Sequence, residues 1–205
     1  MRRIILIGLI ALFVLGAVGF VWYTWPREPE EPVIEQPIVE TPIETTRSFS
    51  SPTLGYSLTY PIAYTQSDHT YAFSATKNIE GGFKVTVPAE TATGTNLSAD
   101  SYVAVEQLPN ANLCTGDIFL RANVVAREVQ DGGVTYSVAS STEGAAGNRY
   151  EEWIFALDNS EPCTAVRHFI HSTPIANASE GTVREFDHEA LLGEFDSIRR
   201  SLRKI

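Results

Sequence analysis

From residue 47 onward, apolar and polar positions alternate in short runs. Tyr56, Leu58 and Tyr60 alternate with Ser57 and Thr59 until Pro61; Phe83, Val85 and Val87 alternate with Lys84 and Thr86 until Pro88. A period of two places every second side chain on one face of a strand. Tyr102 to Leu108, rich in Val, reads as a third strand. Val124–Val129 and Val134–Ser140 flank Asp131-Gly-Gly133, a hairpin signal. Tyr150–Leu157 and Cys163–Ser172 flank Asp158-Asn-Ser-Glu-Pro162 and predict a second hairpin. Loops this short make the paired strands antiparallel. The period then changes. Leu191, Phe195, Ile198 and Leu202 form one helical stripe, with Asp187 placed to cap it and Phe186 and Leu191 spaced as a staple. Glu189 in the first turn and Arg199, Arg200, Arg203 and Lys204 in the last suit the helix dipole. A short turn is expected over Thr115–Leu120, with Thr115 as its cap. The pattern predicts an α+β domain: an antiparallel sheet of about six to seven strands with a C-terminal helix packed on one face.

The N-terminal pattern is neither of these. Arg2 and Arg3 precede 22 uncharged residues, Ile4–Trp25, of which all but Gly8, Gly16, Gly19 and Thr24 are apolar. As a helix this run reaches about 33 Å, enough for a hydrocarbon layer of about 30 Å. Trp22, Tyr23 and Trp25 match an interfacial belt, and Pro26 ends the run. With cations at the near end, residues 1–25 read as a cytoplasmic N-terminus and transmembrane anchor, single-pass at the cell membrane, leaving the rest extracytoplasmic. The alternative is a cleaved signal peptide. Ala17-Val-Gly19 offers a small-x-small site, but the uncharged run continues for six further positions, Phe20–Trp25, longer than a signal core.

Residues 26–46 carry prolines at 26, 29, 32, 37 and 42 and acids at 28, 30, 31, 35, 40 and 44. Proline disallows helix and the acids repel, so an extended linker of about 65 Å at most is expected. Residues 47–205 then form the folded domain.

Charge narrows the partners. The 205 residues hold 15 Lys plus Arg against 25 Asp plus Glu, a net charge of −10. An acidic chain lacks the basic face that phosphate contacts require, so no nucleic acid is expected. The two cysteines, Cys114 and Cys163, predict a disulfide outside the cytoplasm. Closing a loop of about 50 residues stabilises by about 4 kcal/mol in the chain-entropy account. The alternative, a reactive thiol, has no Cys-x-x-Cys motif behind it.

The second hairpin holds the densest polar and aromatic cluster. If its loop closes Leu157 on Cys163, Glu152 opposes His168 and Trp153 opposes Arg167. On that register Glu152 and His168 form an acid/base or ligand pair, and Trp153 and Arg167 a cation–π contact. A slip of one residue undoes both. Other chemistry lacks its motif. No His-Glu-x-x-His occurs, His168 and His171 are three apart, Asp68-His69 stands alone, and Gly144-Ala-Ala-Gly147 lacks a P-loop lysine. No metal, cofactor or catalytic residue is therefore assigned.

The opening Ser51-Pro-Thr-Leu-Gly55-Tyr-Ser-Leu-Thr-Tyr60-Pro61, followed by strands and a closing helix ending Leu192-Gly-Glu-Phe195-Asp-Ser-Ile198-Arg-Arg-Ser-Leu202, resembles the PsbP-like superfamily, the fold of an extrinsic photosystem II subunit. Ala145-Ala-Gly147-Asn-Arg149-Tyr-Glu-Glu152 and Pro162-Cys163-Thr-Ala-Val-Arg167-His-Phe-Ile-His171-Ser are similar to segments of uncharacterised single-pass proteins of candidate-phylum bacteria. The resemblance implies an accessory or scaffolding module and carries no ligand set to these residues. The expectation is a membrane-anchored, non-enzymatic binding domain with a cell-envelope protein partner. The alternative is an envelope hydrolase or transferase using Glu152, Arg167 and His168, which requires the three to converge in a cleft.

Overall fold

The computed structural model describes residues 44–68, 80–121 and 123–205. The chain divides into Met1–Pro42 and Ile43–Ile205, and the fold below is that of the second unit. The expected anchor and almost all of the linker lie outside the described residues, as does His69. Among the described residues no helix is long and apolar enough to cross a membrane.

Among the described residues, ten strands and two α-helices form two sheets and a covering layer. They run β1 Thr46–Ser51, β2 Tyr56–Pro61, β3 Thr65–Ser67, β4 Glu80–Thr86, α1 Ala89–Ala92, β5 Tyr102–Leu108, β6 Arg127–Asp131, β7 Val134–Ala145, β8 Asn148–Leu157, β9 Cys163–Ser172, α2 His188–Arg200 and β10 Arg203–Lys204. The main sheet is antiparallel, in the order β3-β4-β5-β9-β8-β7-β6. A second sheet, β1-β2-β10, is also antiparallel. The α+β reading holds, with one refinement. Tyr56–Pro61 leaves the main sheet and pairs with β1, whose mostly polar sequence gives no strand periodicity.

The α2 helix and the small sheet cover one face of the main sheet. Phe83, Val85, Val103, Val105, Val166 and Ile170 meet Tyr56, Leu58, Tyr60, Leu191, Phe195 and Ile198 in one buried cluster. The predicted stripe on α2 is thus the packed one, and Asp187 caps it, its carboxylate accepting from Ala190 N at 2.9 Å. The helix stops at Arg200, however. Arg203 and Lys204 pair with Ser57 and Tyr56 instead of closing the helix.

The connection between β5 and β6 packs on the opposite face. Leu108, Phe119, Leu120, Ile154, Ala156, Cys163 and Ala165 form this second core. The expected turn is a 3-10 helix over Gly116–Phe119, with Thr115 at its N-cap but making no side-chain cap hydrogen bond. Cys114 is disulfide-bonded to Cys163 across a sequence separation of 49, with 5.1 Å between Cα atoms. Val124 to Ala126, expected in a strand, belong to this connection, and Val125 is 93% exposed. Strands β5 and β9 are buried over most of their length, with Tyr102, Phe169 and His171 partly exposed, and lose the polar-out alternation of an edge strand.

Candidate functional site

Cys163 decides where the polar residues of the second hairpin point. It faces the connection carrying Cys114, the side opposite to Leu157, so the two cannot be cross-strand partners. The ladder slips by one: Trp153 pairs with His168, Ile154 with Arg167 and Glu152 with Phe169. Ser160 bridges the turn, donating its hydroxyl to Leu157 O at 2.9 Å and accepting Thr164 N at 2.8 Å. The expected Glu152–His168 and Trp153–Arg167 pairs do not form. Glu152 and Arg167 point to the face of the connection, Trp153 and His168 to the face of α2.

On the first face Arg167 is wholly buried. Its Nε donates to Glu106 Oε1 at 2.7 Å and its Nη2 to Glu106 Oε2 at 2.9 Å, and Nη2 also reaches Phe119 O at 2.9 Å. Nη1 donates to Glu152 Oε2. Glu106 is as buried as the arginine, while the Glu152 side chain keeps 21% of its exposure. Two carboxylates therefore share one guanidinium. Burial is the main force holding the Glu152 carboxyl above the usual range, with Arg167 pulling it down and Glu106 and Glu143 pushing it up.

Beside this triad a ridge of rings crosses three strands. Tyr102 on β5 stacks on Phe169 of β9, centroids 4.8 Å apart and planes 21° apart. Phe169 neighbours Tyr150 of β8 at 6.2 Å, and Tyr150 stacks on His171 at 4.6 Å. Lys84 Nζ sits 5.4 Å from the Tyr102 centroid, and Asp100 Oδ1 bonds His171 Nδ1 at 2.8 Å. All four rings remain partly exposed.

On the second face His168 is packed among Phe155, at 4.9 Å, and Phe195, at 5.4 Å. Burial, with the nearby Arg199 charge, lowers its pKa to about 3, so it stays neutral. Arg199 lies against the Phe155 and Tyr136 rings, at 4.3 and 4.8 Å, and is held by Asp131 and Asp196. Trp153 Nε1 donates to Glu151 Oε1 at 2.7 Å, and His188 Nε2 is 3.1 Å from both Glu151 oxygens. This Glu151–His188 pair floors a cleft of about 250 Å³ that Arg149 and Phe186 also line. The alternation Arg149-x-Glu151-x-Trp153 on one strand face could have signalled Glu151 and Arg149; nothing local in the sequence brings His188 to them.

The sheet thus separates His168 from Glu152 and Arg167, and the convergent acid/base site that a hydrolase or transferase would need is not built from these three. Among the described residues no cluster of three or more His, Cys, Asp and Glu is placed to hold a metal ion.

No protein-family model matches the chain, and no curated protein matches its sequence. Solved structures do. The chain is similar to the solution structure of cyanobacterial PsbP (CyanoP) from Synechocystis sp. PCC 6803, with 11% identity over 80% of this chain and 94% of that one, at a TM-score of 0.46. It is also similar to a protein of Bacteroides thetaiotaomicron, with 13% identity over 79% of this chain and a TM-score of 0.46. The chain spans about half the length of the latter, 49%. Neither likeness bears on activity.

Proposed function

We propose that the chain is a membrane-anchored, extracytoplasmic accessory domain with a PsbP-like fold, whose main-sheet face carrying Tyr102, Phe169, Tyr150 and His171 receives a cell-envelope protein. The observation that carries the reading is the ridge Tyr102, Phe169, Tyr150 and His171, whose four rings pack in a row across β5, β9 and β8 and are each partly exposed. Tyrosine and phenylalanine partly exposed on a sheet are enriched in protein interfaces. The apolar run Ile4–Trp25 supports the anchor and the proline-rich stretch after it supports a spacer. The Cys114–Cys163 bond is in keeping with an oxidising compartment.

Two measurements test this. Protease added to intact cells removes the domain if it lies outside the membrane; survival until lysis overturns the placement. Chemical crosslinking in native membranes, comparing the full chain with Tyr150→Ser/Phe169→Ser, tests the surface. A crosslinked species lost in a variant that melts within a few degrees of the parent supports the reading, and an unchanged pattern overturns it.

A further inference from the structure

We infer that the cleft floored by Glu151 and His188 binds a free α-amino acid with an apolar side chain, Arg149 taking its carboxylate and Glu185 with His188 its ammonium group. The site is separate from the ridge. Arg149 and Glu151 alternate along β8 with Tyr150 and Glu152, and Glu151 meets His188 of α2, so the cleft lies on the α2 side of the main sheet.

Glu151 sets the geometry. It is buried, and its oxygens accept from Trp153 Nε1 at 2.7 Å and from His188 Nε2 at 3.1 Å. A carboxylate only accepts, so Nε2 carries the proton and, in the neutral ring, Nδ1 is an acceptor. Among the described residues Nδ1 has no hydrogen-bond partner, and it is not sealed from solvent. Arg149 approaches Glu151 only at 3.5 Å, its side chain is 57% exposed, and it makes no hydrogen bond among the described residues. Its guanidinium can turn to a ligand while Glu151 keeps the Trp153 and His188 donors. Glu185 lines the same cleft, is exposed and has no ion-pair partner among the described residues.

These charges select the ligand. A simple anion drawn to Arg149 meets Glu151 and Glu185, and a simple cation drawn to Glu185 meets Arg149. A molecule carrying both charges satisfies both. The guanidinium forks onto a carboxylate through parallel N–H bonds, and an ammonium group divides its donors between Glu185 and His188 Nδ1. Pro174, Ile175 and Phe186 supply an apolar wall, with Ile175 left 40% exposed for an aliphatic side chain to cover. The cleft holds about 250 Å³, below the roughly 300–1,000 Å³ of sites for drug-sized ligands, so it fits a single amino acid and not a peptide.

The test is calorimetric titration of the full chain in detergent micelles with leucine, leucinamide, isocaproate and glycine. Leucine is expected to bind. Leucinamide lacks the carboxylate, isocaproate the ammonium group and glycine the side chain, and each should bind at least about tenfold more weakly. Arg149→Gln should bring leucine down to the level of leucinamide and leave leucinamide within about twofold. Glu185→Gln should weaken leucine and leucinamide about tenfold without weakening isocaproate, and His188→Ala should weaken the same two ligands. Glu128→Gln, an exposed change of the same charge on β6, should stay within about twofold of the parent for every ligand. A leucine affinity weaker than about 10 mM overturns the inference, as does binding of leucinamide or isocaproate as tight as that of leucine. Equal losses in Glu185→Gln and Glu128→Gln would mean a response to overall charge and overturn it as well.

Discussion

Arg167 meets Glu106 across the β5–β9 pair with Nε 2.7 Å from Oε1, and neither side chain is exposed to solvent. A buried ion pair repays its desolvation only through good geometry, and this one has two parallel N–H to O bonds with a third donor on Phe119 O. Removing one partner leaves the other charged and buried. Arg167→Met should lower stability by about 3–5 kcal/mol in urea unfolding, and Glu106→Leu/Arg167→Met by clearly less than the two single losses summed. Additive losses would mean the two side chains act independently.

His168 makes the pH dependence of stability readable. Its folded pKa, about 3, lies below the unfolded imidazole value near 6.5, so between those values the unfolded chain binds the extra proton. Stability from this group is complete above about 6.5 and falls by about 1.4 kcal/mol per pH unit on acidification towards 3. Glu152, raised in the fold, works in the opposite sense: its share is present at low pH and lost as pH rises. Because both proteins keep Glu152, the comparison of parent with His168→Gln isolates the histidine. The variant's stability should fall less steeply between pH 6 and 4. A parallel pair of curves would show that His168 is not the group taking up the proton.

What the chain's pattern could and could not reveal follows from the same residues. Strict alternation marks Tyr56–Pro61 as a strand, and the Leu191, Phe195, Ile198 stripe with its Asp187 cap marks α2, because each of those signals is local. The membership of β2 in a second sheet is not local: it depends on β1 and on Arg203–Lys204, whose pairings join the two ends of the domain. The candidate site was half legible. Glu152 and Arg167 do meet, but through a diagonal contact set by a register that the Cys114–Cys163 bond constrains, and Glu106 reaches them only through the β5–β9 pairing. The ridge is a cross-strand object, assembled from β5, β8 and β9, and no single stretch of sequence displays it.

The disulfide should carry a measurable share of stability. It joins the β5–β6 connection to the start of β9, closing a separation of 49 residues. Cys114→Ala/Cys163→Ala should unfold at lower urea, by about 4 kcal/mol if the effect lies in the unfolded chain's entropy. Ser160 offers an internal comparison, since its hydroxyl lies 3.3 Å from Cys114 Sγ while also bridging the hairpin turn. Ser160→Ala should cost about 1 kcal/mol in both the oxidised protein and the cysteine-free variant. A Ser160 effect that vanishes without the disulfide would show that the hydroxyl acts through its contact with Cys114 and not by bridging the turn.

Gly116 is where the connection comes closest to the sheet. A Cβ there would sit 2.7 Å from Ala139 N and 2.8 Å from Ser137 O, both backbone atoms of β7 that have no side-chain freedom with which to yield. Its own N–H donates to Ser137 Oγ at 3.2 Å, and three residues on Phe119 O accepts from Arg167. Gly116→Ala must therefore lift the 3-10 turn off β7 and loosen the lid over the ion triad, at a loss of about 1–3 kcal/mol. Gly144, also on β7, is the matched control: its nearest contact for a Cβ is Asn148 O at 3.7 Å, an ordinary approach. Gly144→Ala should stay within about 0.5 kcal/mol of the parent. Hydrogen exchange at the Gly116 position and at Leu120 N–H, which bonds Asp117 O at 3.0 Å, should speed up in the first variant alone. Unchanged exchange in Gly116→Ala would mean that β7 moves to accommodate the methyl group and that the turn keeps its seat over Arg167.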